Sequence, residues 1–413
     1  MRLGEVCKMK NGFAFKSTEY TNEGIPVIRI SDINGGIVST EKSVRVKDRT
    51  EFEDFLVEKG DILVAMSGAT TGKFGLFGTN EKAYQNQRVG KFKILNSKVL
   101  DRQFLYYQIN SLKRAIEKDA YGGAQPNISS GKIEQMSFVL PPLPVQHAIV
   151  TKIEEIFSEL DHGVEQLKTA RQQLKVYRQA VLKWAFEGRL TNADIVEGEL
   201  PEGWKWVRLG SFAVKITDGE HITPRRTQEG VYLLSARNIQ NGFLDFSNVD
   251  YIPEDEYLRI IKRCNPEEGD ILISCSGSIG RVCRVPSNVR FTLVRSVALI
   301  KLPRSIANSK FFEYQFLSPL LQKQIEKGKK ATAQANLFLG PIKNLEVLIP
   351  PLSEQHLIVS EIERRLSVCD KLEETIEGSL KAAEVLRAGV LKRAFEGRLV
   401  AATNGAATRA ART

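Results

Sequence analysis

The sequence predicts an α/β (α+β) tandem repeat. It has two similar globular domains separated by two long antiparallel coiled-coil helices, related by a pseudo-two-fold axis. Three observations carry this. The stretch 141–190 returns without a gap as 350–399, at a constant offset of 209, with about 23 of the 50 positions identical. Each copy carries a helical apolar stripe. Each is preceded by a segment that mixes strand and helix patterns on one plan.

The first domain is expected over 1–145. Val27 to Ile30 and Asp61 to Met66 read as buried strands, each after a glycine turn at Gly24 or Gly60. Lys91 to Ile94 alternates like a half-exposed strand. Phe104 to Lys118 presents Leu105, Ile109, Leu112 and Ile116 on one face, the pattern of an amphipathic helix.

The first long helix is expected over 146–190. Ile149, Ile153, Ile156, Leu160, Gly163, Leu167, Ala170, Leu174, Tyr177, Val181 and Trp184 form a heptad seam, flawed at Gly163 where Val164 is the substitute. Pro141, Pro142 and Pro144 argue against helix before about Val145, and Gly188 offers a left-handed stop. About 40 helical residues would make a rod of roughly 60 Å. Such a rod needs a partner, and its own duplicate is the nearest one. With a globular segment before each copy, the economical packing is antiparallel.

A linker is expected over 191–206 and a second domain over 207–354. Here Arg208-Leu209-Gly210 repeats Arg2-Leu3-Gly4, residues 230–234 repeat 24–28, and Gly269-Asp270-Ile271-Leu272 repeats 60–63. Ser276-Gly277 repeats Ser67-Gly68, while Ala333-Gln334 and Asn336 repeat Ala124-Gln125 and Asn127. The framework persists and the loops diverge, as expected of two domains presenting one kind of surface to two targets. The second long helix is expected over 355–399. Its seam reads Ile358, Ile362, Arg365, Cys369, Leu372, Ile376, Ser379, Ala383, Leu386, Val390 and Arg393, and is weaker at Arg365, Ser379 and Arg393. The tail 400–413 is low-complexity and expected to be disordered.

Lys and Arg outnumber Asp and Glu by 59 to 49, a net charge of +10 that suits a polyanion. No apolar run reaches the roughly 18 residues of a membrane span, and the start MRLGEVCKMK lacks a signal-peptide hydrophobic region. No membrane association and a cytoplasmic location are therefore expected. Cys7, Cys264, Cys275, Cys283 and Cys369 are scattered without C-x-x-C spacing, which points to reduced thiols and no metal site.

Gly68-Ala69-Thr70-Thr71-Gly72-Lys73 has three residues between its glycines where a P-loop needs four, and Phe74 follows the lysine. Its duplicate, Gly277-Ser278-Ile279-Gly280-Arg281, lacks the lysine. Nucleotide hydrolysis is therefore not expected. Two readings of these turns stay open: a tight turn after a strand, or a turn whose Ser67, Thr70, Thr71 and Lys73, and Ser276, Ser278 and Arg281, meet DNA phosphates or base edges. Gln85, Gln87 and Arg88 in the first domain, and His221, Arg225 and Arg226 in the second, join them as candidate DNA contacts. Gln146-His147 and Gln355-His356 occupy equivalent places where the rods begin, and are assigned a structural role there. Pro141-Pro142 and Pro350-Pro351 lack the preceding Asn or Asp and following aromatic residue that an adenine methyltransferase requires. No nuclease Glu-x-Lys follows Glu267, Glu268 and Asp270. No catalytic residue and no cofactor site is expected on this chain.

Pro141-Pro142-Leu143 with Gln146, Pro350-Pro351-Leu352 with Glu354-Gln355, and the twin Ala-Phe-Glu-Gly-Arg-Leu ends at 185–190 and 394–399 resemble one family over essentially the whole chain. It is the DNA specificity subunit of type I restriction-modification systems. Asp218-Gly219 with His221 and Thr223-Pro224, and residues 123–128, are similar to loops of its target-recognition domains. Pro144-Val145 departs from the family, which has a Glu before the Gln. The resemblance implies two target-recognition domains on double-stranded DNA, each reading half of a split sequence, with the two helices as a ruler. It also implies partners: two methyltransferase (modification) subunits using S-adenosylmethionine, and restriction/translocase subunits using ATP. A rival reading is a non-catalytic DNA-binding scaffold or transcriptional regulator with two recognition modules.

Overall fold

A computed structural model describes residues 1–120, 126–192, 194–196, 198–329 and 336–400, without the side chains of 113–115 and 117–120. Gly123, Ala124, Gln125, Ala333, Gln334 and nearly all of the expected disordered tail, from 401 on, lie outside the described residues. The chain divides into two compact units: residues 1–166 with the chain from 378 onward, and residues 167–377. The division falls within the rods rather than at their ends, so each unit holds one globular domain and half of each long helix.

In the first unit, Cys7–Asn11, Val89–Ile94, Ile62–Ala65 and Phe74–Phe77 form an antiparallel run of four strands in that order. Gly36–Val38 joins Phe74–Phe77 in parallel. A second sheet pairs Ile25–Ile28 with Val44–Val46 antiparallel and with Ala83–Gln85 in parallel. Ile62, Val64, Phe74 and Phe92 point toward the helix Arg102–Ala120, whose Phe104, Leu105, Ile109 and Ile116 close the core. The predicted amphipathic face is the buried one.

In the second unit, Lys215–Asp218, Val297–Lys301, Ile271–Ser274 and Val282–Arg284 repeat the four-strand order. Val231–Leu234 pairs with Asp250–Ile252 antiparallel and with Phe291–Leu293 in parallel, again as in the first unit. Two short helices, Ser309–Leu317 and Pro319–Gly328, cover the sheet with Phe311, Phe312, Phe316 and Leu321. The expected linker 191–206 is shorter in the structure. Lys205–Arg208 already forms a strand with Glu346–Ile349, and Trp204 is buried with its indole N–H donated to Glu354 Oε2 at 2.8 Å.

Both rods are 44-residue helices, Leu143–Phe186 and Leu352–Phe395. Each starts three residues before the expected place. Pro144 sits in the first turn, where its missing N–H has no helical acceptor to lose. Both rods end before Gly188 and Gly397, so 187–190 and 396–399 lie outside the helices.

Within each unit the half-rods run antiparallel. Ile149, Val150 and Ile153 share a core with Val390, Leu391 and Ala394, and Val181, Leu182 and Phe186 share one with Ile358, Val359 and Ile362. The predicted seam is only half buried. Cys369, Ile376, Ala383 and Val390, seven residues apart, are covered, whereas Tyr177, Leu372 and Leu386 remain 38%, 48% and 54% exposed. Near its ends each half-rod also lies against a domain, so the buried face widens there. Toward the middle only one column is covered. The flaw at Arg365 is neutralised along its own helix, where Arg365 Nε meets Glu361 Oε1 at 2.6 Å.

All five cysteines are free and buried. Burial pushes the Cys7 and Cys275 thiols up to about 12. No helix among the described residues is long and apolar enough to cross a membrane.

Candidate nucleic-acid interface

The glycine turns at 68–72 and 277–280 connect antiparallel strands of a hairpin, so neither leads into the helix that a P-loop requires. Gly72 N donates to Ala65 O at 2.8 Å and Gly280 N to Ser274 O at 2.9 Å. The carbonyls of Lys73 and Arg281 accept from Ala65 and Ser274 at 2.8 and 2.9 Å, so these two cations occupy equivalent places. The Lys73 side chain is exposed and that of Arg281 half-buried.

Two sequence candidates are placed inside the first domain. Thr71 is buried, its hydroxyl donating to Gly68 O at 2.6 Å and Pro126 O at 3.0 Å. Gln85 is fully buried, its amide donating to the carbonyls of Lys10 and Val89, both at 2.6 Å. Both expectations are corrected: these side chains brace the turn and the strand, and cannot reach a duplex. The Ser67 and Thr70 hydroxyls are buried with no partner among the described residues. Gln87 and Arg88 stand exposed on the next turn.

In the second domain His221, Arg225 and Arg226 are already paired with acids. Arg225 Nη2 makes two contacts with Asp255, at 2.9 and 2.7 Å, while Arg226 and Arg237 converge on Asp250 at 3.6 and 2.9 Å. His221 Nε2 meets Asp218 Oδ2 at 2.8 Å, and Arg263 holds the other oxygen at 2.5 Å. Exposed pairs of this kind contribute about 0–1 kcal/mol, so a phosphate can compete for the arginines. Ser276 is half-buried, and Ser278 is exposed with its carbonyl accepting from the Ser274 hydroxyl at 2.5 Å.

Around these turns each domain opens a cleft. That of the first domain, about 900 Å³, is lined by Asn11, Ser67, Gln87, Arg88, Asn127 and Ser130 among others. That of the second, about 610 Å³, is lined by Asp218, His221, Ser276, Arg295, Asn336 and Phe338 among others. The two are built by the same backbone bonds. Met66 N donates to Arg88 O and Cys275 N to Ser296 O; Ile128 N donates to Met66 O and Leu337 N to Cys275 O, all at 2.8–3.0 Å. Ser67 bridges Asn127, and Ser276 bridges Asn336.

One wall of each cleft requires glycine. A Cβ on Gly12 would lie 2.1 Å from Gln85 O, and one on Gly219 would lie 2.2 Å from Leu293 O. Arg295, Asn127 and Asn336 belong to these clefts and were not among the sequence candidates. The repeat offset runs from 206 to 209 between Gly24 and Gly60, and Arg295, whose amide bond to Glu220 O matches that of Gln87 to Phe13 O, lies 208 from Gln87. That slippage hides the correspondence.

The rods begin with matching locks. Gln146 Nε2 donates to Val99 O and Pro141 O, both at 2.8 Å, and its Oε1 accepts from Asp101 N at 2.8 Å. Gln355 Nε2 donates to Ile306 O at 3.0 Å and Pro350 O at 2.9 Å, and its Oε1 accepts from Asn308 N at 2.8 Å. Asp101 and Asn308 in turn accept from the first-turn amides of Phe104 and Phe311. His147 and His356 remain exposed, beside Asp101 and Asn308.

Among the described residues no group of three His, Cys, Asp or Glu could hold a metal ion. Residues 1–174 and 201–382 match the family described as the type I restriction modification DNA specificity domain. The chain is 29% identical to the type I restriction enzyme EcoBI specificity subunit of Escherichia coli, over 97% of this chain and 85% of that one. It is 24% identical to the EcoKI specificity subunit of Escherichia coli K12, over 97% and 88%. The fold is shared with the HsdS subunit from Thermoanaerobacter tengcongensis, at a TM-score of 0.57 and 18% identity over 96% of both chains. It is also shared with a chain from a structure of complex assembly and conformational transition of the type I R-M system. There the TM-score is 0.67 and the identity 18%, over 96% of this chain and 97% of that one. The chain therefore belongs to the type I restriction-modification DNA specificity family, the DNA-recognising and non-catalytic component of these systems.

Proposed function

We propose that the chain reads a split double-stranded DNA target in the cytoplasm, with residues 1–145 on one half-site and 207–354 on the other. The observation that carries this is one framework, built twice by the same hydrogen bonds, whose exposed clefts carry different side chains. Lys73, Gln87 and Arg88 in the first domain, and His221, Arg225, Arg226, Ser276, Ser278 and Arg281 in the second, are the proposed contacts, while the buried Ser67 and Thr70 hydroxyls are left to the turn. Charged members position the duplex on its phosphates, and amide and guanidinium groups read base edges. The rods set the length of the unread spacer between half-sites.

Catalysis then belongs to partners: two methyltransferase subunits using S-adenosylmethionine and, in the restricting complex, ATP-dependent translocase subunits. Val176 and Tyr177 are exposed on the first rod, and Val385 and Leu386 are exposed 209 residues later. An apolar pair displayed at the equivalent place of each repeat suits two copies of one partner. Methylome sequencing with and without the gene tests the reading. The expected result is one bipartite methylated motif that disappears with the gene, and a methylome unchanged by deletion overturns it. Val176→Glu with Val385→Glu should abolish co-purification of a methyltransferase while the chain stays folded.

A further inference from the structure

The two clefts carry different side chains at one equivalent backbone position. Gln87 N donates to Phe13 O at 2.8 Å, and Arg295 N donates to Glu220 O at 2.9 Å. The neighbouring bridges also correspond, Phe13 with Asn86 and Glu220 with Val294, both parallel. In both domains the residue one step further on sends its carbonyl to the strand that precedes the glycine turn. Gln87 and Arg295 are thus the same residue of the framework. Both are exposed, both line their clefts, and neither side chain has a partner among the described residues.

The surroundings leave both side chains free to act. The acids near Arg295 are engaged elsewhere: Asp218 by Arg263 and His221, and Glu220 by Arg259 at 3.1 Å and the amides of His221 and Ile222. The guanidinium therefore faces the cleft uncompensated. Gln87 stands among the hydrogen-bonding groups Asn11, Ser67 and Asn127, with the cation Arg88 next to it in the same cleft. An amide presents one donor and one acceptor in a plane, which matches the N6 and N7 edge of adenine. A guanidinium presents two donors, which match O6 and N7 of guanine.

We infer that Gln87 and Arg295 are the corresponding specificity-determining residues of the two domains, Gln87 reading an adenine and Arg295 a guanine in the major groove. This rests on the reading that each domain takes one half-site. The test is selection of bound duplexes from a randomised library by the full chain at fixed salt, for the wild type, Arg295→Gln, Arg295→Lys and Gln87→Arg.

Arg295→Gln should lose preference for guanine at one position of one half-site, roughly 5- to 150-fold, and leave the other half-site unchanged. Gln87→Arg should turn an adenine preference toward guanine at one position of the other half-site. Arg295→Lys keeps the charge and loses the fork, so it should retain overall affinity and still relax the guanine. Preferences unchanged in the variants would overturn the inference while leaving the two-domain reading intact. So would a sequence-independent loss of affinity that Arg295→Lys restores, which marks a phosphate contact. A wild type that selects no bipartite sequence would overturn both.

Discussion

Arg178 meets Asp370 at 2.7 Å, and 209 residues further on Arg387 meets Asp161: each rod's arginine holds the other rod's aspartate. Each pair lies within one compact unit. Arg178 also reaches Glu373 at 3.0 Å, and Arg387 lies 4.7 Å over the Phe157 ring. The arrangement is what a duplicated helix produces when its copies pack antiparallel, since residue i of the first rod facing j + 209 of the second implies that j faces i + 209.

These pairs guide register more than they hold the rods. Both are part-exposed, so Arg178→Ala should cost about 1 kcal/mol or less. Ile362→Ala, which opens a cavity in the core shared with Val181 and Phe186, should cost about 2–5 kcal/mol. Chemical denaturation of the two variants checks the order. A larger loss from Arg178→Ala would make the ion pairs the principal contact.

The glutamine locks should be the costliest polar feature to remove. Gln146→Ala or Gln355→Ala strands two carbonyls and one amide N–H around each rod start, with an expected loss of about 1–3 kcal/mol. His147→Ala, at an exposed position, should change stability by less than about 0.5 kcal/mol. Thermal melts of the three variants give the comparison.

Acid should weaken the second rod through Glu361. Hydrogen bonds from Arg364 and Arg365 hold its carboxyl down to about 2 in the folded chain, against an ordinary value of about 4.3 in the unfolded one. A depressed folded value adds stability above the unfolded pKa, and that stability is lost as pH falls toward the folded one. The stability gap between wild type and Glu361→Gln should therefore be constant above about pH 5 and shrink between about pH 5 and pH 2. Urea midpoints across that range measure it, and a gap that widens on acidification would contradict it.

Rod length should translate into DNA spacing. Four residues inserted next to Thr169 add about 6 Å of helix, against about 3.4 Å per base-pair step, so the unread spacer should grow by one or two base pairs. Mapping of methylated sites decides this, and an unchanged spacer would refute the ruler.

Much of the fold is legible in the sequence because its signals are local or repeated. The strand Ile62–Ala65 and the helix Arg102–Ala120 follow from an apolar run after a glycine turn and from a helical period. The strand read at 27–30 lies two residues earlier, at Ile25–Ile28, because the chain turns into a 3-10 helix at Ile30–Asp32. The rods follow from their duplicated stripe. The helix start at Leu143 was less legible, since Pro144 suits both a first turn and a stretch before one. Nor could the period show that Leu372 and Leu386 stay exposed, because it marks apolar positions and not which of them a neighbour covers.

The sequence by itself determined the duplication, the two rods and the family resemblance, because a repeat and a heptad are properties of spacing along one chain. Only the tertiary structure decided which polar side chains face outward. Thr71 and Gln85 have the chemistry of DNA contacts, but strands brought together from 55 and 75 residues away turn them inward to satisfy backbone groups. Arg295 becomes the counterpart of Gln87 only when hydrogen bonds to Glu220 and Phe13 align two loops whose numbering has slipped. Burial and long-range backbone pairing depend on what the chain meets elsewhere, which the order of residues does not state.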